Sequence, residues 1–221
     1  MEKLQFKKIS YVKRMPDGFD EAKKYPLVIY IHGAGGRGND IDKIYTHPFF
    51  TETEPYLKDT VSVAPQCYAN TWFDIFEQLQ EYIEAMIALD YVDSSRVYLM
   101  GASMGGYTTW QLGMSRPELY AAILPICGGG MYWNVGRLKS TAVWAFHGEV
   151  DPTVLCEESK KLVDKLNRAE GNAKLTVYEG VGHNAWTPTF RDPEVWKWVF
   201  EQRNSYIADT KNEYDNVKNF G

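Results

Sequence analysis

Six short, continuous apolar runs constrain what this chain can fold into: residues 27–31 (LVIYI), 61–64 (VSVA), 97–100 (VYLM), 121–126 (AAILPI), 142–146 (AVWAF) and 175–178 (LTVY). They are rich in β-branched and aromatic residues and lack the strict alternation of a strand with one wet face, so they read as strands covered on both faces. Between them lie longer amphipathic stretches at 74–89, 105–116, 155–168 and 193–202. In the first of these, Ile75, Leu79, Tyr82, Ile83 and Met86 recur every three or four residues and form one apolar stripe. This alternation predicts a three-layer α/β fold, a mostly parallel central sheet flanked by helices. Ahead of residue 25 the pattern predicts one or two antiparallel edge strands, with 5–13 a candidate, followed by the turn signal Pro16-Asp17-Gly18.

A chain of 221 residues suits one such domain, which at this size buries roughly 70% of the surface its unfolded form exposes. The periodic part runs from about 25 to 202. Residues 203–221 are polar and aperiodic and read as a surface-lying tail. The 24 Lys+Arg against 29 Asp+Glu leave a net charge of −5, which argues against nucleic acid as a partner because phosphate binding needs a concentrated positive face. No window approaches the 18 apolar residues of a membrane span. The opening MEKLQFKKISYVKRM interrupts every apolar pair with charge and offers no secretory core, so the expectation is either a cytoplasmic location or a signal removed ahead of residue 1. Cys67, Cys127 and Cys156 show no metal-ligand spacing and read as small apolar fillers in a reducing compartment; neither a metal nor a cofactor is expected.

The VYLM run continues into Gly101-Ala102-Ser103-Met104-Gly105, and a helical pattern follows at once. G-x-S-x-G on a tight strand-to-helix turn presents a serine hydroxyl at the C-terminal edge of a sheet, over a helix N-terminus that favours developing negative charge. A serine hydroxyl needs a base to act as a nucleophile, and the base needs an orienting carboxylate. With the chain order serine, acid, histidine, only His183 of the four histidines (His32, His47, His147, His183) lies late enough, in the glycine-bracketed loop Gly180-Val181-Gly182-His183 after the 175–178 run. The acid is then expected after the preceding strand, in His147-Gly148-Glu149-Val150-Asp151-Pro152. Asp151 is the first candidate and Glu149 its competitor. Asp151 also suits a helix cap, and His183 a plain surface loop.

Catalysis of this kind further needs donors for an oxyanion. His32-Gly33-Ala34-Gly35-Gly36-Arg37-Gly38 follows the first run directly, and the expected donors are the backbone amides of Ala34 and Met104. The same loop satisfies G-x-G-x-x-G, the dinucleotide fingerprint. That reading demands an acidic residue at the end of the next strand, where the chain instead reads Val63-Ala64-Pro65-Gln66-Cys67. The absence of G-K-[ST] excludes a P-loop.

HGAGGRG, APQC followed by Trp72, GASMGG, PICGGG, HGEVDPTV and GVGHNAW occur in the order seen in the α/β-hydrolase superfamily. From about residue 25 to 202 the chain most resembles the small carboxylesterase, predicted-peptidase and depolymerase-like branch, which includes feruloyl and acetylxylan esterases. The resemblance implies Ser103 as nucleophile, Asp151 as acid, His183 as base, and Ala34 and Met104 as oxyanion donors. It also implies cleavage of carboxylic esters through an acyl-enzyme, without a cofactor. Arg37 stands where related loops often carry an acid. The dienelactone hydrolase relatives use a cysteine nucleophile, which the serine here argues against.

Lids in this fold commonly follow the nucleophile helix and its next strand, and residues 127–141 leave too little chain for a sizeable lid domain. An open site disfavours interfacial lipases and favours small soluble, aryl or carbohydrate-linked esters. Trp110, Trp144, Trp196 and Trp198 fall within expected helices or strands and read as core, whereas Trp72, Trp133 and Trp186 fall on loops at the catalytic edge and are candidates for substrate binding. An amidase or peptidase using the same residues, and a silent ligand-binding protein on a hydrolase fold, are the competing readings.

Overall fold

The computed structural model describes residues 1–204, so the tail expected at 203–221 lies almost wholly outside the described residues. Eight strands, β1 (Glu2–Phe6), β2 (Ile9–Arg14), β3 (Tyr25–Ile31), β4 (Val61–Pro65), β5 (Val92–Ala102), β6 (Ala122–Ile126), β7 (Ala142–Gly148) and β8 (Ala173–Tyr178), form one sheet in the order β1-β2-β4-β3-β5-β6-β7-β8. β1 and β2 form an antiparallel hairpin and β2 runs antiparallel to β4. From β4 across to β8 every pairing is parallel. The candidate edge segment 5–13 is thus two strands, turned at Lys7, whose φ of 51° is left-handed.

Because successive side chains of a strand point to opposite faces, a run buried on both sides divides its residues between two cores. β3 does so: Leu27, Ile29 and Ile31 join one cluster, Val28 and Tyr30 the other. The first face is covered by α3 (Phe76–Ile87), α4 (Met104–Ser115) and α5 (Cys156–Arg168), which contribute Leu79, Tyr82, Ile83, Trp110 and Leu162. The second is covered by α1 (Asp42–Tyr45), α2 (Pro48–Glu52), α6 (Trp186–Arg191) and α7 (Pro193–Glu201), through Ile44, Phe49, Phe190 and Trp196. No helix among the described residues is long and apolar enough to cross a membrane.

The parallel strands from β3 to β8 all end at the same edge, and there the chain turns into the segments at 32–38, 66–75, 103–104, 127–138, 149–155 and 179–185. Between β6 and β7 stands only a 3₁₀ turn, Tyr132–Leu138. No lid covers this edge among the described residues.

Candidate active site

β5 is the strand that delivers Ser103. The residue sits between strand and α4 with φ 58° and ψ −120°, a left-handed backbone that strains any side chain but turns this one outward. The turn is closed by packing: a Cβ on Gly105 would run into the carbonyl of Ile31, so only glycine lets α4 sit this close to β3. The Ser103 N–H is held by the Ile126 carbonyl at 2.9 Å, which ties the turn to β6.

The structure brings Ser103, His183 and Asp151 into one hydrogen-bonded line. His183 Nδ1 lies 2.7 Å from Asp151 Oδ2, and His183 Nε2 lies 2.8 Å from Ser103 Oγ. An ionised carboxylate only accepts, so Nδ1 carries the proton and Nε2 is left to accept from the serine hydroxyl. Asp151 is 4% exposed. Burial by itself would push its carboxyl up, but hydrogen bonds from His183 and from the N–H groups of Val154 and Thr153 outweigh it and hold the group below the usual carboxylate range. Glu149 is placed elsewhere: its Oε2 accepts from the Gly180 N–H at 3.0 Å, bracing the loop that leads to His183. The other histidines are committed too. His147 is buried between Ser159 Oγ at 2.7 Å and the Val154 carbonyl at 2.9 Å, and His47 accepts from the Phe49 N–H at 3.1 Å.

The 32–38 loop lies against the serine: a Cβ built on Gly33 would stand 3.3 Å from the Ser103 Cβ. Ala34 opens the short 3₁₀ turn Ala34–Gly36, and Met104 opens α4. An N–H at the first position of a helical turn has no carbonyl partner within that turn. Two residues hold this loop that sequence reasoning overlooked. His32, fully buried, accepts from the Cys67 N–H through Nε2 at 3.0 Å and meets the Gly33 carbonyl through Nδ1 at 2.6 Å. Gln66 donates its side-chain amide to the carbonyls of Gly36 and Asp40 at 2.9 and 2.8 Å. Their signal was available, since each is a polar residue directly following an apolar strand. Arg37, the departure noted in the loop, turns back onto the carbonyls of Ala34 and Asn70 at 2.8 and 2.9 Å and so stiffens the segment.

The three tryptophans separate. Trp72 is not a surface ring: it is fully buried, and its indole N–H donates to the His32 carbonyl at 3.0 Å, so the expectation that it binds substrate is corrected to a role in packing beneath the loop. Trp186 is half-buried and meets the His183 ring edge-on, 5.6 Å between centroids. Trp133 is 68% exposed on the 3₁₀ turn after β6. Cys127, Asp151 and His183 form the one group among the described residues whose ligating atoms converge closely enough for a metal ion, within 4.8 Å. Two of the three already bond each other, and burial pushes the Cys127 thiol up to about 12, which keeps it protonated and poor both as ligand and as nucleophile.

A mostly parallel, three-layer sheet with a serine on the sharp turn between strand and helix defines an α/β-hydrolase-fold protein. The chain is similar to esterases and peptidases of that fold. Residues 66–133 match the prolyl oligopeptidase family. A probable feruloyl esterase C of Aspergillus terreus is 25% identical over 73% of this chain and 62% of its own length. A probable dipeptidyl-peptidase 5 of the same organism is 25% identical over 87% of this chain but 31% of its own length. Among solved structures a thermostable esterase superposes with a TM-score of 0.83 at 33% identity, over 91% of this chain and 63% of that one. The chain thus spans somewhat under two thirds of the feruloyl esterase and of the crystallised esterase it matches.

Proposed function

We propose that this chain is a serine hydrolase of carboxylic esters, with Ser103, His183 and Asp151 as its catalytic residues. The observation that carries the reading is the unbroken line from Asp151 Oδ2 through His183 to Ser103 Oγ, at 2.7 and 2.8 Å. In this mechanism Ser103 Oγ attacks the ester carbonyl carbon while His183 Nε2 takes its proton. The imidazolium is stabilised, and its orientation held, by Asp151. The tetrahedral oxyanion lies between the amides of Ala34 and Met104. On collapse, the alcohol leaves with the proton from Nε2 and an acyl-serine remains. A water deprotonated by His183 then attacks that acyl group and releases the carboxylic acid. No step calls for a metal or a cofactor.

Esters are preferred over amides on two grounds. A feruloyl esterase is matched over 62% of its length and a dipeptidyl-peptidase over 31% of its own. The edge around Ser103 is also open, with no lid among the described residues to grip a peptide or shield an interfacial site. Substrates are small soluble esters, with aryl or carbohydrate-linked esters suited to the exposed Trp133 and the half-buried Trp186. The match of residues 66–133 to the prolyl oligopeptidase family favours the peptidase as the second reading.

The test pairs a short-chain p-nitrophenyl ester with its matching p-nitroanilide and adds a fluorophosphonate label. Ester turnover and labelling, both lost in Ser103→Ala, are expected. Anilide turnover as fast as ester turnover would favour the peptidase, and full labelling of Ser103→Ala would remove Ser103 from the mechanism.

A further inference from the structure

A cleft of about 510 Å³ opens along the N-terminal turns of α4, walled by Phe73, Phe76, Tyr107 and Met131 and floored by Gly129. Tyr107 stands one helical turn beyond Ser103, its N–H bonded to the Ser103 carbonyl at 3.0 Å, and its hydroxyl lies within electrostatic reach of both Glu158 and Asp151, which sets this wall of the cleft between the two carboxylates. Its walls carry one charge, beside the Tyr107 hydroxyl and the Gln111 amide, the latter donating to Ser115 Oγ at 3.1 Å. Glu158, half-buried on α5, lines it, and its carboxylate comes so close that a Cβ on Gly129 would sit 2.9 Å from Oε2.

Nothing neutralises this carboxylate among the described residues. Of the two lysines nearest it along α5, Lys160 pairs with Glu157 at 3.4 Å and Lys161 lies over the Tyr132 ring at 5.4 Å. A carboxylate accepts hydrogen bonds and gives none, and it repels anions. Half-buried and unpaired, it is free to accept a hydrogen bond from a ligand in the cleft. Phe73 and Phe76 lie nearly parallel, 18° apart, a surface for a flat ring or for the face-on approach of a cation.

Resting on the ester-hydrolase reading, we infer that this cleft is the specificity pocket of the Ser103 site and that Glu158 is its selecting residue. It admits esters whose ring ends in a hydrogen-bond donor, a phenolic hydroxyl or an ammonium group, and rejects those ending in an anion.

Two matched ester series test this, one carrying the ring on the acyl side and one on the alcohol side, each with hydrogen, hydroxyl, aminomethyl or carboxylate at the para position. In at least one series kcat/KM of the wild type is expected to be about tenfold higher for the hydroxyl and aminomethyl esters than for the unsubstituted one, and lowest for the carboxylate. Glu158→Gln keeps the hydroxyl advantage and loses the aminomethyl one. Glu158→Leu loses both. Melting temperature reports that both variants are folded, and each variant's rates are read as ratios to its own rate on the unsubstituted ester. Unchanged para-substituent ratios in variants that still turn over phenyl acetate overturn the inference and leave the hydrolase reading standing. Failure of the hydrolase reading looks different, since the wild type then cleaves neither series nor phenyl acetate. The cleft is still decided in that case by calorimetry on the folded protein: tighter binding of 4-(2-hydroxyethyl)phenol than of 2-phenylethanol, lost in Glu158→Leu, supports it, and equal binding overturns it.

Discussion

At the scale of single residues, the two acids that compete for one role in the sequence are separated by where their oxygens point. Asp151 faces His183 Nδ1 at 2.7 Å, and Glu149 faces the Gly180 N–H at 3.0 Å. Asp151→Asn preserves the size of the side chain but offers an amide that favours the wrong imidazole tautomer, and is expected to lower kcat about 10⁴-fold. Glu149→Gln keeps an acceptor for Gly180 and is expected to change kcat by less than about threefold. Steady-state kinetics with a p-nitrophenyl ester decides between them, and a reversed order would move the orienting role to Glu149. The tryptophans offer a second contrast. Trp72→Ala empties a fully buried site beneath the 32–38 loop and is expected to cost about 3–5 kcal/mol in denaturant unfolding. Trp133→Ala, at 68% exposure, is expected to cost under about 0.5 kcal/mol. Burial of this kind is not legible in a local pattern: Trp72 and Trp133 both follow loop-forming residues, and it is the tertiary position of His32 that gives the Trp72 indole an acceptor.

Among the elements, those with a strong period agree with the sequence reading, and those held by tertiary contact do not announce themselves. The runs at 61–64, 121–126 and 142–146 lie within a residue or two of β4, β6 and β7, because residues buried on both faces leave no polar interruption. The amphipathic stretch at 155–168 is α5 to within one residue. The stretch at 74–89 is divided: a 3₁₀ turn, Trp72–Ile75, with Thr71 and Asp74 as a capping box, precedes α3. Residues 39–52 show no apolar run or stripe, yet they carry α1 and α2, four and five residues long and too short for any period to show. α6 was likewise not expected; it has six residues and contains Pro188. The serine turn is the reverse case, since its sequence dictates its geometry. Gly105 is the glycine on which that turn rests, and Gly105→Ala forces α4 away from the Ile31 carbonyl. A loss of about 2 kcal/mol or more is expected by chemical denaturation, with ester turnover falling alongside as Ser103 and the 32–38 loop separate. A variant of wild-type stability and rate would show that α4 can shift freely.

Over the whole molecule, the parallel strands gather Ser103, Asp151 and His183 at one sheet edge, and the interior beneath them holds histidines as well as apolar groups. Burial disfavours the charged form of His32 and of His47 and lowers each to about 4. In the unfolded chain both take up protons near 6.5, so between about pH 6.5 and 4 the unfolded state binds more protons and stability falls as the pH is lowered. The share from one such residue is on the order of 3 kcal/mol. The depressed carboxyl of Asp151 acts in a separate window: its contribution is complete above the ordinary carboxylate value and is lost only as the pH drops below it. His47 allows a clean test, because its role is visible. It caps α2 by accepting the Phe49 N–H at 3.1 Å on Nδ1, an acceptor that protonation removes. Asparagine caps helices equally well and does not titrate. His47→Asn is therefore expected to leave the urea midpoint at pH 7.5 nearly unchanged and to make the fall in unfolding free energy between pH 6.5 and 4.5 shallower, the remainder coming from His32 and His147, which burial also lowers. A variant that loses stability on acidification as steeply as the wild type would place the acid sensitivity in His32 and the other buried groups alone.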